Sequence, residues 1–150
     1  MSAMPAPEPP AVPTQDFTWA KAHLSDVMTA VVAGHQPHEV VRRGKEAMVL
    51  VNRDDLATAL GHFTFNPTVH IEPDETTVEV PEVGVLGFGA DVEAALDDAL
   101  EEVRIYARRF FEKAAFYLAS DRARHAPWLL RFALTPAGEQ RALLEAGRRA

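Results

Sequence analysis

Between Trp19 and Val32 the apolar residues Ala20, Leu24, Val27, Met28, Val31 and Val32 recur at steps of three and four, and Gly34 follows them. This spacing predicts an amphipathic helix closed by a glycine stop. Glu39 to Arg42 and Ala47 to Val51 then flank Arg43, Gly44 and Lys45, a strand-turn-strand pattern with glycine where a positive φ is needed. Asn52 is placed to cap a further helix, with Asp54 and Asp55 in the first turn, where the helix dipole favours carboxylates, and Leu56, Ala57 and Leu60 as its apolar stripe. The pattern closes near Gly61.

After His62 to Pro67 the period returns to two. Val69 to Ile71, a turn at Glu72 to Glu75 and the alternating Thr77 to Val80 predict a second hairpin, followed by a short strand over Val83 to Phe88. Asp91 stands at a helix-cap position, and Val92, Leu96, Ala99, Val103, Tyr106, Phe110, Ala114 and Tyr117 step by threes and fours through a long helix whose other face is charged. Pro127 and Pro136 each suit a first helical turn, with Thr135 able to cap the second. Trp128 to Leu134 reads as helix, with a strand as the alternative, although it lacks β-branched residues. At the other end of the chain, Pro5, Pro7, Pro9, Pro10 and Pro13 with few large apolar side chains favour a disordered, extended arm over residues 1–15. The fold class expected from these elements is α+β: a small α/β module over 16–61, then a β-hairpin and long helix with further helices over 62–150.

The net charge of -7 argues against a nucleic-acid partner until its distribution is considered. Residues 61–103 hold eleven Asp and Glu and no Lys or Arg, residues 104–150 hold ten Lys and Arg against four Asp and Glu, and residues 16–60 are nearly balanced. The front module is therefore free to display a local basic patch. Cysteine is absent, which excludes disulfides and thiolate metal sites and fits a reducing compartment. No segment has the apolar length to span a bilayer, and the N-terminus lacks the basic start and apolar core of a secretory signal, so the expected location is the cytoplasm, with no membrane partner.

The run Phe17-Thr-Trp-Ala-Lys-Ala-His-Leu-Ser-Asp-Val-Met, then Val32-Ala-Gly, then Val40-Val-Arg-Arg-Gly-Lys-Glu-Ala-Met-Val-Leu-Val-Asn, resembles the Phd/YefM antitoxin family. The shared features are a short first strand, a helix opening on Ala, a polar or basic residue and Leu-Ser, a glycine after the helix, and an Arg-Arg-Gly-Lys turn before an apolar strand. Thr18 departs from the family, which often has a basic residue there. The resemblance implies a homodimer, or a higher homo-oligomer, joined through its sheet. The dimer would bind its own operator DNA as a repressor and neutralise a protein toxin through the C-terminal region. Lys21 and His23 near the helix start, with Arg42, Arg43 and Lys45 at the hairpin turn, are the expected DNA contacts. Trp19, Val27 and Val31 need a covering surface and are the expected dimer interface. The segment from Val69 to Leu96 is similar, more weakly, to HicB-like antitoxin domains, which implies a folded partner-binding unit. The alternative function is a homo-oligomeric interaction protein that keeps the Phd/YefM fold without binding DNA.

Other chemistry finds little support. His35 and His38 flank Pro37 in a turn and cannot share a helical face as metal ligands. Gly87-Phe-Gly89 lacks the third glycine and lysine of a phosphate loop. Glu101 and Glu102 are adjacent and so diverge on a helix. Phe110, Phe111, Phe116 and Tyr117 are more simply core or interface than a ligand box. No catalytic residue, metal or cofactor is expected, and the protein is not read as an enzyme. The acidic stretch leaves two readings open: residues 69–118 meet a basic partner, or the carboxylates pair with the basic segment that follows.

Overall fold

The computed structural model describes residues 3–6 and 11–148, and divides the chain into two compact units, 1–56 and 57–150. Of the expected Pro-rich arm, residues 1, 2 and 7–10 lie outside the described residues.

In the first unit, β1 (Thr14–Asp16) runs parallel to β2 (His38–Arg42), and β2 pairs antiparallel with β3 (Glu46–Leu50), giving the order β1-β2-β3. Thr14 and Gln15 thus belong to a strand and not to the arm: they sit opposite Glu39 and Val40, and the Glu39 amide donates to the Pro13 carbonyl at 2.9 Å. The helix expected from Trp19 to Val32 is two helices, α1 (Phe17–Ala22) and α2 (Leu24–Val32). The break is at His23, where φ is -121°; its Nδ1–H donates to the Trp19 carbonyl at 2.8 Å and its ring stacks on the Trp19 indole at 4.3 Å. A side chain that takes a helix carbonyl competes with continuation of the ladder. Asn52 caps α3 (Arg53–Ala59) as expected. Its Oδ1 accepts from the Asp54 and Asp55 amides at 2.9 and 3.1 Å, while its Nδ2 donates to the Val32 carbonyl, the last residue of α2. The division between the units falls inside α3.

In the second unit, β4 (Thr68–Ile71), β5 (Thr76–Val80) and β6 (Val85–Gly89) form an antiparallel sheet in sequence order. One face, with Val78, Val80 and Val85, is buried with the long helix α4 (Val92–Glu112), whose Ala95, Leu96, Ala99, Val103 and Phe110 belong to the same core. Asp91 caps α4, its Oδ1 accepting from the Ala94 amide at 2.8 Å. Gly87 and Gly89 set how closely β6 approaches α4: a Cβ at Gly87 would lie 2.3 Å from the Ala99 nitrogen, and one at Gly89 2.5 Å from the Ala95 nitrogen. Asp98 of α4 accepts from the Phe88 amide at 2.8 Å and covers part of the β6 edge.

The long helix, expected to reach Tyr117, breaks at Lys113 and resumes as α5 (Ala114–Leu118), so that the Tyr117 ring stacks on Phe110 at 5.1 Å. A 3-10 turn (Asp121–His125) leads into α6 (Ala126–Leu134), which resolves Trp128 to Leu134 as helix, with Pro127 in its first turn. Trp128 and Arg131 of α6 donate to the Thr64, Gly61 and Phe63 carbonyls and so hold the irregular stretch before β4. A 3-10 turn (Ala137–Glu139) and α7 (Gln140–Glu145) follow. Thr135 does not cap that turn; its hydroxyl donates back to the Arg131 carbonyl at 2.9 Å, and Pro136 occupies the cap position. No helix among the described residues is long and apolar enough to cross a membrane.

Because the added methyl of Gly87→Ala would meet backbone and not a movable side chain, β6 must shift from α4. The expected result is a destabilisation of the second unit by about 2 to 3 kcal/mol, read as a lower urea midpoint at unchanged slope.

Candidate nucleic-acid interface

The β2–β3 turn presents three exposed cations, Arg42, Arg43 and Lys45, close together in sequence. Arg43 and Gly44 have φ of 55° and 68°, and the Lys45 amide donates to the Arg42 carbonyl at 3.2 Å. Two central residues at positive φ match the right-handed twist of the flanking strands and form a tight hairpin. Glycine is at ease there. Arg43 is not, since a side chain with a Cβ is strained in the left-handed region.

The five residues expected at DNA are not equivalent. Arg43 and Lys45 are exposed and make no ion pair among the described residues. Arg42 is already engaged: its Nε donates to Glu46 Oε2, and its guanidinium lies 5.8 Å from the centre of the Phe17 ring. Lys21 is exposed and makes no ion pair among the described residues, and it sits in the last turn of α1, two residues before the His23 N-cap of α2. His23 is the junction residue between α1 and α2, with one ring nitrogen on the Trp19 carbonyl. The start of α1 carries its own anion, because Asp16 Oδ2 accepts from the Thr18 amide at 2.9 Å. The start of α1 is thus capped by a carboxylate, which opposes phosphate, whereas the start of α2, with His23 at its N-cap position, has no side-chain cap but carries Asp26 in its first turn.

The expected interface residues are also redistributed. Val27 and Val31 are 2% and 6% exposed within the single chain, where with Ala20 and Val40 they are the buried apolar residues of this unit, so they need no second surface. Trp19 is 41% exposed. The uncovered stripe of α2 is instead Leu24, Met28 and Val32, at 57%, 63% and 51% exposure and four residues apart, hence on one helix face. The helix is apolar on two sides, and periodicity does not tell which side the chain covers by itself. On β3, Met48 and Val49 are exposed on opposite faces. His35 and His38 do not converge: His35 Nδ1 lies 2.9 Å from Asp55 Oδ2, and His38 is buried with Nε2 at 3.2 Å from Gln36 Oε1.

In the second unit much of the acidic stretch has partners of its own. Arg141 pairs with Glu93, Asp97 and Glu145, and Arg104 with Glu101. The bond to Glu145 first, and then the charges of Asp97 and Glu93, push the Arg141 guanidinium above its ordinary value. Glu82, Asp91 and Asp98 accept backbone amides, and Glu79 faces His70 at 3.5 Å. The carboxylates left over include Glu72, Asp74 and Glu75, all exposed at the β4–β5 turn beside Ile71, which is 74% exposed. Leu86 and Phe88 are exposed on the sheet face opposite α4.

A PHD-like family described as antitoxins of toxin-antitoxin systems of the RelE/RelB type matches residues 12–144. Among solved structures, the crystal structure of an antitoxin part assigned to a toxin/antitoxin system of Syntrophomonas wolfei subsp. wolfei is similar. Its TM-score is 0.75 at 15% sequence identity, covering 87% of this chain and 94% of that one. That likeness supports the mixed α+β architecture. No curated protein matches the chain significantly.

The strained turn separates charge from folding. Arg43→Gly removes one free cation and relieves the left-handed strain, so it is expected to leave the hairpin intact and raise stability by up to about 1 kcal/mol. Thermal unfolding of the variant beside wild type checks this, and a clear loss of stability would mean that the Arg43 side chain holds the turn.

Proposed function

From the premise that this chain belongs to the family of toxin-antitoxin antitoxins of the RelE/RelB type, we propose that it is a non-catalytic antitoxin of the Phd/YefM kind. In this reading the first unit dimerises and binds the operator of its own promoter, and the second unit neutralises a protein toxin. One observation carries the reading: the first unit leaves the Leu24, Met28 and Val32 stripe uncovered while its hairpin turn holds Arg43 and Lys45 out without carboxylate partners. Covering the stripe with a second copy duplicates the turn by two-fold symmetry, and two basic turns at fixed spacing suit a palindromic site. Trp19 adds exposed aromatic area to the same unit. Arg43, Lys45 and Lys21 are the proposed backbone contacts, with Arg42 shared between Glu46 and phosphate and His23 secondary.

For the toxin, the acidic β4–β5 tip with Ile71 and the open sheet face with Leu86 and Phe88 combine apolar area with negative charge, which suits a basic protein. The second reading, a homo-oligomeric interaction protein without DNA binding, is favoured by the Asp16 cap on α1 and by the Arg42 pair with Glu46. Both withdraw positive charge from a phosphate.

Binding of the full chain to its own promoter, measured across a salt series, separates the two. The antitoxin reading expects tight binding at low salt, and for the Arg43→Gly, Lys45→Ala double variant a slope flatter by roughly 0.9 for each phosphate no longer neutralised. No preference for the promoter at low salt overturns the operator reading in favour of the second.

A further inference from the structure

We propose that the second unit carries a binding site for a small phosphate monoester, in the hollow between the β5–β6 turn and the stretch from α4 through α5 to the 3-10 turn at Asp121–His125. The hollow has a volume of about 370 Å³, at the small end of the roughly 300–1,000 Å³ range of ligand sites.

Charge points to an anion. Arg109 from α4 and Arg122 and Arg124 from the 3-10 turn all line the hollow, and none of the three makes an ion pair among the described residues. The unit has carboxylates to spare, and Arg141 alone takes three of them. Arginines left unpaired in an acid-rich unit, and gathered on one concave surface, leave their donors for an outside anion. Glu102 and Asp121 also line the hollow, so the guanidinium groups outnumber the carboxylates by one.

A fixed polar pair stands at the wall. His125 is 7% exposed, and its Nδ1 lies 2.6 Å from the Tyr106 hydroxyl. The Arg122 guanidinium lies 5.9 Å from the centres of both the Tyr106 and Tyr117 rings and also has a side-chain hydrogen bond with Tyr106, which together orient it without a carboxylate ion pair. Gly84, at φ 66°, carries the β5–β6 turn past the imidazole, where even a Cβ would reach only 4.0 Å from Cε1.

Burial first, and then Arg124 and Arg122, hold the His125 imidazole below its ordinary value, with Asp121 opposing. Burial likewise pushes the Tyr106 phenol up, with Arg122 opposing, and keeps it protonated. The β5–β6 turn adds no titratable group to the lining, and the remaining groups that face the pair are Glu102 and Arg109 of α4, Tyr117, and those of the 3-10 turn. A monoester suits this set better than a carboxylate. It brings three acceptor oxygens to three guanidinium forks and a phenol. Its bound charge offsets the arginine repulsion and favours the imidazolium.

The test follows the His125 ring signals of the full chain by NMR while inorganic phosphate, and separately phenyl phosphate, is added at constant ionic strength. Saturable shifts of His125 and a ring pKa that rises with occupancy are expected. Affinity should fall about tenfold or more in Arg122→Gln and in Arg124→Gln, and should not change in Arg108→Gln, which lies outside the hollow. Arg109→Gln, a substitution of an exposed helix residue, supplies an independent variant should either turn variant lose its fold. Absence of a saturable shift, equal shifts in the wild type and the arginine variants, or shifts produced by duplex DNA alone would each overturn the proposal.

Discussion

Apolar burial is divided unequally between the two units, and the proposed function rests on that inequality. The second unit closes a continuous core around Phe65, Phe110, Phe132, Leu96, Leu129 and the sheet valines. The first unit buries Ala20, Val27, Val31 and Val40, and leaves Leu24, Met28, Val32, Met48 and Val49 more than half exposed. A chain segment this short is marginal with so small a core. Covering the rest of the Leu24, Met28 and Val32 side chains would contribute on the order of 3 to 5 kcal/mol per protomer, comparable to the lower end of whole-domain stabilities of about 5 to 15 kcal/mol. The proposed dimer would thus add to the stability of the first unit as well as serve its function.

The second unit solves a different problem. Its sheet is covered on one face by a helix drawn close by Gly87 and Gly89, and on the other Leu86 and Phe88 remain open. The acidic stretch looks, as composition, like a single negative surface. In space it is largely spent on Arg141, Arg104, His70 and backbone amides, and what is left for a partner concentrates at the β4–β5 tip. Of the stretch, Glu93, Asp97 and Glu101 pair with arginines of the basic segment that follows, Glu79, Glu82, Asp91 and Asp98 find other partners, and Glu72, Asp74 and Glu75 stay exposed.

Local signals are legible in the sequence and cooperative ones are not. Asn52 and Asp91 announce their helices because a cap is a one-residue decision, and Gly44 announces a turn because glycine adopts positive φ without strain. The helix breaks at His23 and Lys113 have no glycine or proline behind them. They arise where a ring gains more by stacking, His23 on Trp19 and Tyr117 on Phe110, than by continuing the helix. Thr135 suits a cap by residue type, but its hydroxyl turns instead to the carbonyl four residues back. The basic turn is visible in sequence, but the removal of Arg42 from the free charge is not, since Glu46 becomes its neighbour only through the β2–β3 register. Likewise the two apolar faces of α2 are both present in the pattern, and only the folded unit separates the covered one from the open one.

That the α2 stripe is the surface on which two copies meet is most directly tested by sedimentation of the wild type beside Met28→Glu at micromolar concentration. Met28 is the most exposed residue of the stripe, so a carboxylate there costs the single chain little and an apolar interface a great deal. A wild-type dimer and a folded Met28→Glu monomer are expected. A monomeric wild type, or a Met28→Glu dimer of undiminished affinity, would contradict a dimer built on this stripe.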